Sequence, residues 1–236
     1  EDNYAYPVRL FLQTLFGEHP YSRPGIGTAD SVTNLKGDDL RHWFESNERK
    51  TKPLIVIAGD SNGTSLIAPL TERLTNVDLV ERDISRLPLA NPPRVKGDTV
   101  QSIARQQTAM VYGFSGPMLN NADRSTLTVF QNVVSGLGGR FFDAIRDKQG
   151  LAYTVSTSNA FFTRGGAVYI YSAFSPENEA AVRTALETEI ESIRKNGVMP
   201  EEVRKAVAFS IGDHEAEMQS RDATVLEYAR AIYSGA

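Results

Sequence analysis

The sequence predicts an α+β fold, in which antiparallel-rich sheets pack against helices. Apolar residues recur at helical spacing in several segments, as at Val182, Leu186, Ile190 and Ile193. Runs rich in β-branched residues alternate with these segments and are bounded by turn residues. A proline-rich stretch at 81–97 has no apolar period and predicts a linker. We therefore expect two α+β blocks, residues 1–80 and residues 98–236, joined by this linker.

In the first block, the spacing of apolar residues predicts three helices, at 8–16, 38–44 and 65–74. Between the second and third lies the continuous apolar run Leu54–Ala58, stopped by Gly59. A run of this length and composition is typical of a strand buried on both faces.

In the second block, strands are predicted at 103–114, 151–158 and 167–174, the last two forming a hairpin around 163–166. Helices are predicted at 122–134, from Pro176 to a stop at Gly197, and from Pro200 past His214. Ser175 precedes Pro176 and is the expected N-cap of the second helix. The third helix is expected to bury Val203, Val207 and Ile211.

Composition excludes several classes of function. Hydrophobic residues make up 41% and charged residues 23%, which indicates a globular chain. The net charge of −4 provides no basic field for nucleic acid, and no apolar run is long enough to span a membrane. The absence of cysteine excludes disulfides, thiolate metal sites and a cysteine nucleophile.

The two ends indicate a segment of a longer polypeptide. The chain opens with Glu1 instead of methionine, and no signal peptide follows. It stops while the pattern over 228–233 is still helical. We expect further residues on one or both sides.

No metal site is predicted within the chain. Its three histidines are His19 in a proline turn, His42 beside a tryptophan, and His214. His214-Glu215 comes near the zinc motifs His-Glu-x-x-His and His-x-x-Glu-His, but position 218 is methionine in place of the second histidine. A thioether is a poor zinc ligand, so a solvated helix surface is the favoured interpretation.

No catalytic residue is predicted either, because no carboxylate or serine has a partner at a spacing that catalysis requires. The candidates that remain are Arg146 and Tyr153, which follow a glycine-rich turn. Arg146 could equally complement the negative end of its own helix, and Tyr153 could simply occupy a strand face. Local pattern alone leaves both interpretations open.

Several motifs, in consistent order, resemble the pitrilysin/insulinase family of zinc metallopeptidases, which includes mitochondrial and bacterial processing peptidases. Gly136–Phe142 with Arg146–Tyr153 is similar to the second, non-catalytic domain of that family. Upstream, His19–Pro24 and Leu54–Asp60 resemble the later part of the preceding domain. Downstream, Gly197–Val203 resembles the loop and helix start that follow the long second-domain helix.

The resemblance implies parts of two related α+β domains that face each other across a chamber holding an extended peptide. The family's zinc comes from a His-x-x-Glu-His motif and a distal glutamate, which this sequence lacks, so zinc is expected only in the complete enzyme. The second domain's arginine and tyrosine reach toward the scissile bond, and Arg146 and Tyr153 match them. Gly138 and Gly139 would let the backbone approach the substrate closely.

On this resemblance the chain is the substrate-holding, zinc-free portion of a zinc metalloendopeptidase and is not catalytic alone. Its partners are a peptide substrate and a catalytic domain or subunit. Bacterial relatives suggest a periplasmic or secreted location, with the cytoplasm as the alternative. The competing function is a structural or assembly subunit with the same fold.

Overall fold

The computed structural model describes residues 2–60, 63–74, 80–81, 83, 86–90, 97–135 and 138–234. Contacts divide the chain into two compact units, each drawn from two parts of the sequence. The first consists of Glu1–Arg23 and Leu89–His214, the second of Pro24–Pro88 and Glu215–Ala236. These units are defined by contacts within the chain and are not the predicted domains. The domain boundaries at 80 and 98 stay a prediction, and about half of the linker lies outside the described residues.

The first unit is built on a three-stranded antiparallel sheet. Its strands are β1 (Thr108–Gly116), β2 (Thr154–Phe162) and β3 (Gly165–Phe174), in the order β1-β3-β2. The predicted hairpin is confirmed, since β2 and β3 are joined by a tight turn. The strand predicted from Ile103 is wrong in its first part: β1 begins at Thr108, because the polar segment 105–107 interrupts the apolar run before it.

Helices cover one face of this sheet and form the core with it. They are α5 (Asp123–Val134) and α6 (Glu179–Asn196). The predicted apolar face of α6 is confirmed, with Val182 and Leu186 fully buried. Its predicted end is also confirmed, at Gly197 with φ of 69°. A positive φ favours glycine, which has no Cβ to clash.

Helix α7 (Pro200–Glu217) follows α6, but the predicted set of inward residues is partly wrong. Val207 and Ile211 are exposed, whereas Ala206 is buried. Ser210 lies on the inward side with Ala206, because its hydroxyl accepts a hydrogen bond of 2.8 Å from Asn132. The buried face is therefore one residue out of step with the most apolar positions of the helix.

Helix α1 (Ala5–Phe16) packs on the opposite face of the sheet. The rings of Phe11 and Tyr169 are 5.6 Å apart, and those of Tyr4 and Tyr171 are 4.8 Å apart. Gly113 makes room for this helix, since a Cβ there would lie 2.6 Å from Phe11 Cζ. The sheet is thus covered on both faces.

The second unit contains the helices α2 (Ala29–Thr33), α3 (Gly37–Ser46), α4 (Gly63–Leu74) and α8 (Arg221–Ser234). The predicted buried strand at Leu54–Ala58 is wrong. The segment makes no strand ladder with the described residues, and Leu54, Ile55 and Ile57 are more than 40% exposed. An apolar run forms a strand only where a neighbouring chain pairs with its backbone, and here one isolated bridge, Thr51 to Val80, lies beside it.

Candidate functional site

The glycine-rich turn is described from Gly138 onward, and residues 136–137 lie outside the described part. Gly138 has φ of 86°, a conformation that favours glycine. Gly139 is in close contact with the backbone of Ser135, where a Cβ would lie 2.6 Å from the carbonyl oxygen. The absence of a side chain at Gly139 therefore has a structural reason within the chain itself.

Arg146 lies in the π-helical turn Phe142–Asp147, which follows directly. The turn is anchored by Phe141 and Ile145, which are buried in the core of the first unit. Arg146 points the other way and is exposed, with its guanidinium carbon 5.0 Å from the centre of the Phe142 ring. Among the described residues no carboxylate lies within ion-pairing distance of Arg146. Its charge is accessible to a ligand, and π-helical turns are frequent at functional sites.

Tyr153 lies directly before β2 and follows Gly150, which has φ of 61°. Its backbone N–H donates to Ala173 at 2.9 Å, so the residue is held at the end of the sheet. The residue is 56% exposed, and its hydroxyl shares a hydrogen bond of 3.0 Å with the hydroxyl of Ser175. The phenol is therefore positioned by Ser175 and remains accessible to solvent.

The predicted N-cap role of Ser175 is wrong for its side chain, which makes no capping hydrogen bond. The hydroxyl contacts Tyr153 instead, while the Ser175 carbonyl accepts from the N–H of Asn178 at 2.8 Å. The pattern Ser-Pro-Glu located the helix start correctly. It could not show which partner the serine hydroxyl has.

A shallow groove of about 480 Å³ lies between the π-helical turn and α6. Its lining includes Ala144 from the turn, Gln149 just after it, and Ala180, Thr184 and Thr188 from α6. Arg146 and Tyr153 do not line this groove. Both residues are exposed to solvent, so they are accessible without being enclosed.

An ion pair that the sequence analysis did not predict joins the residue two positions before the π-helical turn to the first turn of α7. Arg140 donates from Nε to Glu202 Oε1 and from a terminal nitrogen to Oε2, each at 2.6 Å. The Arg140 guanidinium holds the pKa of the Glu202 carboxyl below its usual range, and the same hydrogen bonds raise the pKa of Arg140. Sequence offers one signal, an acidic residue in the first turn of α7, but no way to identify its partner.

The part of the chain that the structure describes contains no group of three His, Cys, Asp or Glu side chains able to hold a metal. No helix in the described ranges has both the length and the hydropathy to cross a bilayer.

The sequence of the chain matches a family model described as the peptidase M16 inactive domain, over residues 34–209. This match covers more than half of the chain. The chain belongs to the peptidase M16 inactive-domain family. The resemblance to zinc metallopeptidases is thereby confirmed, and so is the α+β fold class.

Relatives of this M16 domain are themselves called zinc proteases. An uncharacterized zinc protease of Mycobacterium bovis is 27% identical over 232 residues, which is 94% of this chain and 53% of that protein. One of Streptomyces coelicolor is 25% identical over 207 residues, covering 84% of this chain and 44% of that protein. The chain spans about half the length of the curated relatives it matches.

Solved structures share the fold. A protease from Helicobacter pylori superposes with a TM-score of 0.82 and 16% identity, covering 96% of this chain and 56% of that one. An M16 inactive domain from Pseudomonas fluorescens superposes with a TM-score of 0.74 and 19% identity, covering 88% of this chain and 50% of that one. A chain of complex III2 from Candida albicans superposes with a TM-score of 0.77 and 15% identity, covering 99% of this chain and 57% of that one.

Proposed function

We propose that this M16 inactive domain holds an extended peptide for a zinc metalloendopeptidase whose catalytic zinc lies outside these residues. The observation that carries the proposal is the accessibility of Arg146 and Tyr153 in the segment 146–153, which directly follows the buried residues Phe141 and Ile145. Two exposed polar side chains on a rigid support suit recognition of a ligand better than they suit folding.

Arg146 and Tyr153 supply complementary chemistry for a peptide backbone. A guanidinium is a permanent cation with several N–H donors, which can bind the carbonyl oxygens of an extended chain. A phenol donates a hydrogen bond, and the negative oxygen that develops during amide hydrolysis accepts it more strongly than the ground-state carbonyl does. We therefore assign peptide positioning to Arg146 and oxyanion stabilisation to Tyr153. Gly138 and Gly139 shape the backbone that precedes them.

Catalysis then requires a partner that carries the zinc, either elsewhere in the polypeptide or on another subunit. The described surface of the second unit supports such a partner, because it exposes the apolar residues Leu54, Ile55 and Ile57 together with Leu66 and Ile67. Apolar groups that remain in contact with water favour association with another surface. The length of the relatives, about twice that of the chain, supports the same proposal.

Peptide binding by the chain itself tests the proposal. Fluorescein-labelled peptides from a tryptic digest of casein are titrated with the chain, and anisotropy reports binding. Arg146→Ala should weaken binding by about 10- to 100-fold, because a hydrogen bond to a charged group is worth about 1.5–3 kcal/mol. Arg194→Ala is the matched control, since Arg194 is also exposed but is paired with Glu191. Equal affinities for all three proteins would contradict the proposal.

A structural or assembly subunit is the second candidate function. The observation in its favour is the shared fold with a chain of complex III2, at a TM-score of 0.77. The gene distinguishes the two: a His-x-x-Glu-His motif upstream, or in a neighbouring gene of the same fold, favours the peptidase. Absence of the motif from both would favour assembly.

A further inference from the structure

The ion pair between Arg140 and Glu202 joins two segments that are far apart in the sequence. One is the turn that leads to Arg146, and the other is the beginning of α7. Both oxygens of Glu202 are used, each at 2.6 Å, and the two side chains are only 18% and 29% exposed. A bidentate arginine–carboxylate pair constrains direction as well as distance, which apolar packing does not.

Glu202 is itself held in a defined position. It is in the first turn of α7, and its Oε2 also accepts the backbone N–H of Met199 at 2.6 Å. The carboxylate therefore connects three points: the helix start, the loop before it, and Arg140. The position of the Glu202 carboxylate is therefore defined by α7 and its preceding loop, and Arg140 binds to it in that position.

The described side chains of 138–150 make one hydrogen-bonded connection to another element, the pair with Glu202. Among the described side chains of 138–150, Arg140 alone hydrogen-bonds outside that segment. Gln149, by comparison, bonds locally to the carbonyl of Ala144. Phe141 and Ile145 are buried but contribute non-directional contacts. A small change in the orientation of the turn would move Arg146, and the ion pair opposes such a change in addition to the packing of Phe141 and Ile145.

We propose that Arg140 and Glu202 are positioning residues, whose bidentate pair sets the orientation of the turn and so places Arg146 for peptide binding. This inference rests on the proposed function, since it assigns a purpose to the pair only if Arg146 binds peptide. The pair has no contact with the peptide in this role and acts through Arg146.

A double-mutant cycle with Arg146 tests the inference, with the labelled casein peptides as the probe. Glu202→Gln removes the charge but keeps the size, and should weaken binding about tenfold, since a displacement of about 1 Å can cost up to about 100-fold. In the Arg146→Ala background, Glu202→Gln should cause no further loss, because the residue it positions is gone. Equal losses in both backgrounds would overturn the inference, as would no loss in the parent.

Stability is separated from positioning by a second variant. Arg140→Met with Glu202→Leu replaces the pair by apolar groups, a change that is often neutral or stabilising for folding. We expect this variant to keep the melting temperature of the parent while its peptide affinity stays about tenfold low. Recovery of full affinity would overturn the inference, because the pair would then serve folding alone.

The control is a second bidentate pair on the exposed side of α6. Arg194 donates to both oxygens of Glu191 at 2.7 and 2.8 Å, and Glu191→Gln should leave peptide affinity unchanged. The proposed function and the inference fail differently. If Arg146→Ala has no effect, the proposed function is wrong. If Arg146→Ala weakens binding and Glu202→Gln does not, only the inference is wrong.

Discussion

Replacing Tyr153 by phenylalanine removes one hydroxyl from the candidate site and leaves the ring in place. Within the described ranges the hydroxyl shares one hydrogen bond, of 3.0 Å with Ser175, and the residue is 56% exposed. The structural contribution of this group can therefore be separated from its proposed contribution to catalysis.

The two contributions differ greatly in size. A typical intramolecular hydrogen bond adds about 0.5–1.5 kcal/mol to the free energy of unfolding, and an exposed one lies at the low end because water replaces the lost partner. A loss of about 0.5 kcal/mol lowers the melting temperature by about 1–2 °C for a chain of this size. Loss of an oxyanion donor, by contrast, typically lowers kcat by about 100- to 1,000-fold.

The assay measures turnover of a fluorescence-quenched peptide by the assembled enzyme, which is this chain together with its catalytic half. The melting temperature of each variant is measured alongside. Ser175→Ala is the matched control, because it breaks the same hydrogen bond but keeps the phenol. We expect Tyr153→Phe to lower kcat strongly and Ser175→Ala to lower it little, at similar melting temperatures. Near-normal turnover in Tyr153→Phe, or equal losses in both variants, would refute the assignment.

Four further predictions concern the chain itself. Leu186→Ala should lower the free energy of unfolding by about 2–5 kcal/mol in urea titration, because Leu186 is fully buried and the cavity cannot close; a loss below that range would show that the core is loosely packed. Gly139→Ala should lower the free energy of unfolding by about 1–3 kcal/mol, because its Cβ would meet the backbone of Ser135. Gly212→Ala, in open space on α7, should raise it by up to about 1 kcal/mol. A change of the same sign in both variants would count against the packing described. Glu202 has a pKa below its ordinary value of 4.5, so its stabilising effect is present above that pH and disappears as pH falls through the lowered pKa. The difference in unfolding free energy between the parent and Glu202→Gln should therefore shrink on acidification, and a constant difference would contradict this. Chelator-washed protein should contain no stoichiometric zinc by elemental analysis, and one tight zinc per chain would disprove the prediction.

Local patterns in the sequence were sufficient for much of the fold. The periodicity and stop at Gly197 predicted α6, and the turn at 163–166 predicted the hairpin. The order of the motifs around Arg146 and Tyr153 was enough to indicate the family. Each of these signals depends on neighbours within one element or one turn, where spacing determines geometry.

Predictions that depended on a distant partner were the ones that failed. Leu54–Ala58 has the composition of a buried strand, but no described strand pairs with it. Val207 and Ile211 are apolar, but the face of α7 that meets the core is the one carrying Ala206. Apolar character shows that a residue can be buried and does not show which surface buries it.

The sequence by itself determined the type and order of the regular elements near the candidate site, and the presence of an arginine and a tyrosine between a turn and a strand. Only the tertiary structure decided that Arg140 pairs with Glu202 and that the hydroxyl of Ser175 meets Tyr153 instead of capping its helix. The physical reason is that hydrogen bonds and ion pairs between distant residues are directional and short. The packing of the elements determines which side chains meet, and the local spacing of residues in the sequence does not specify it.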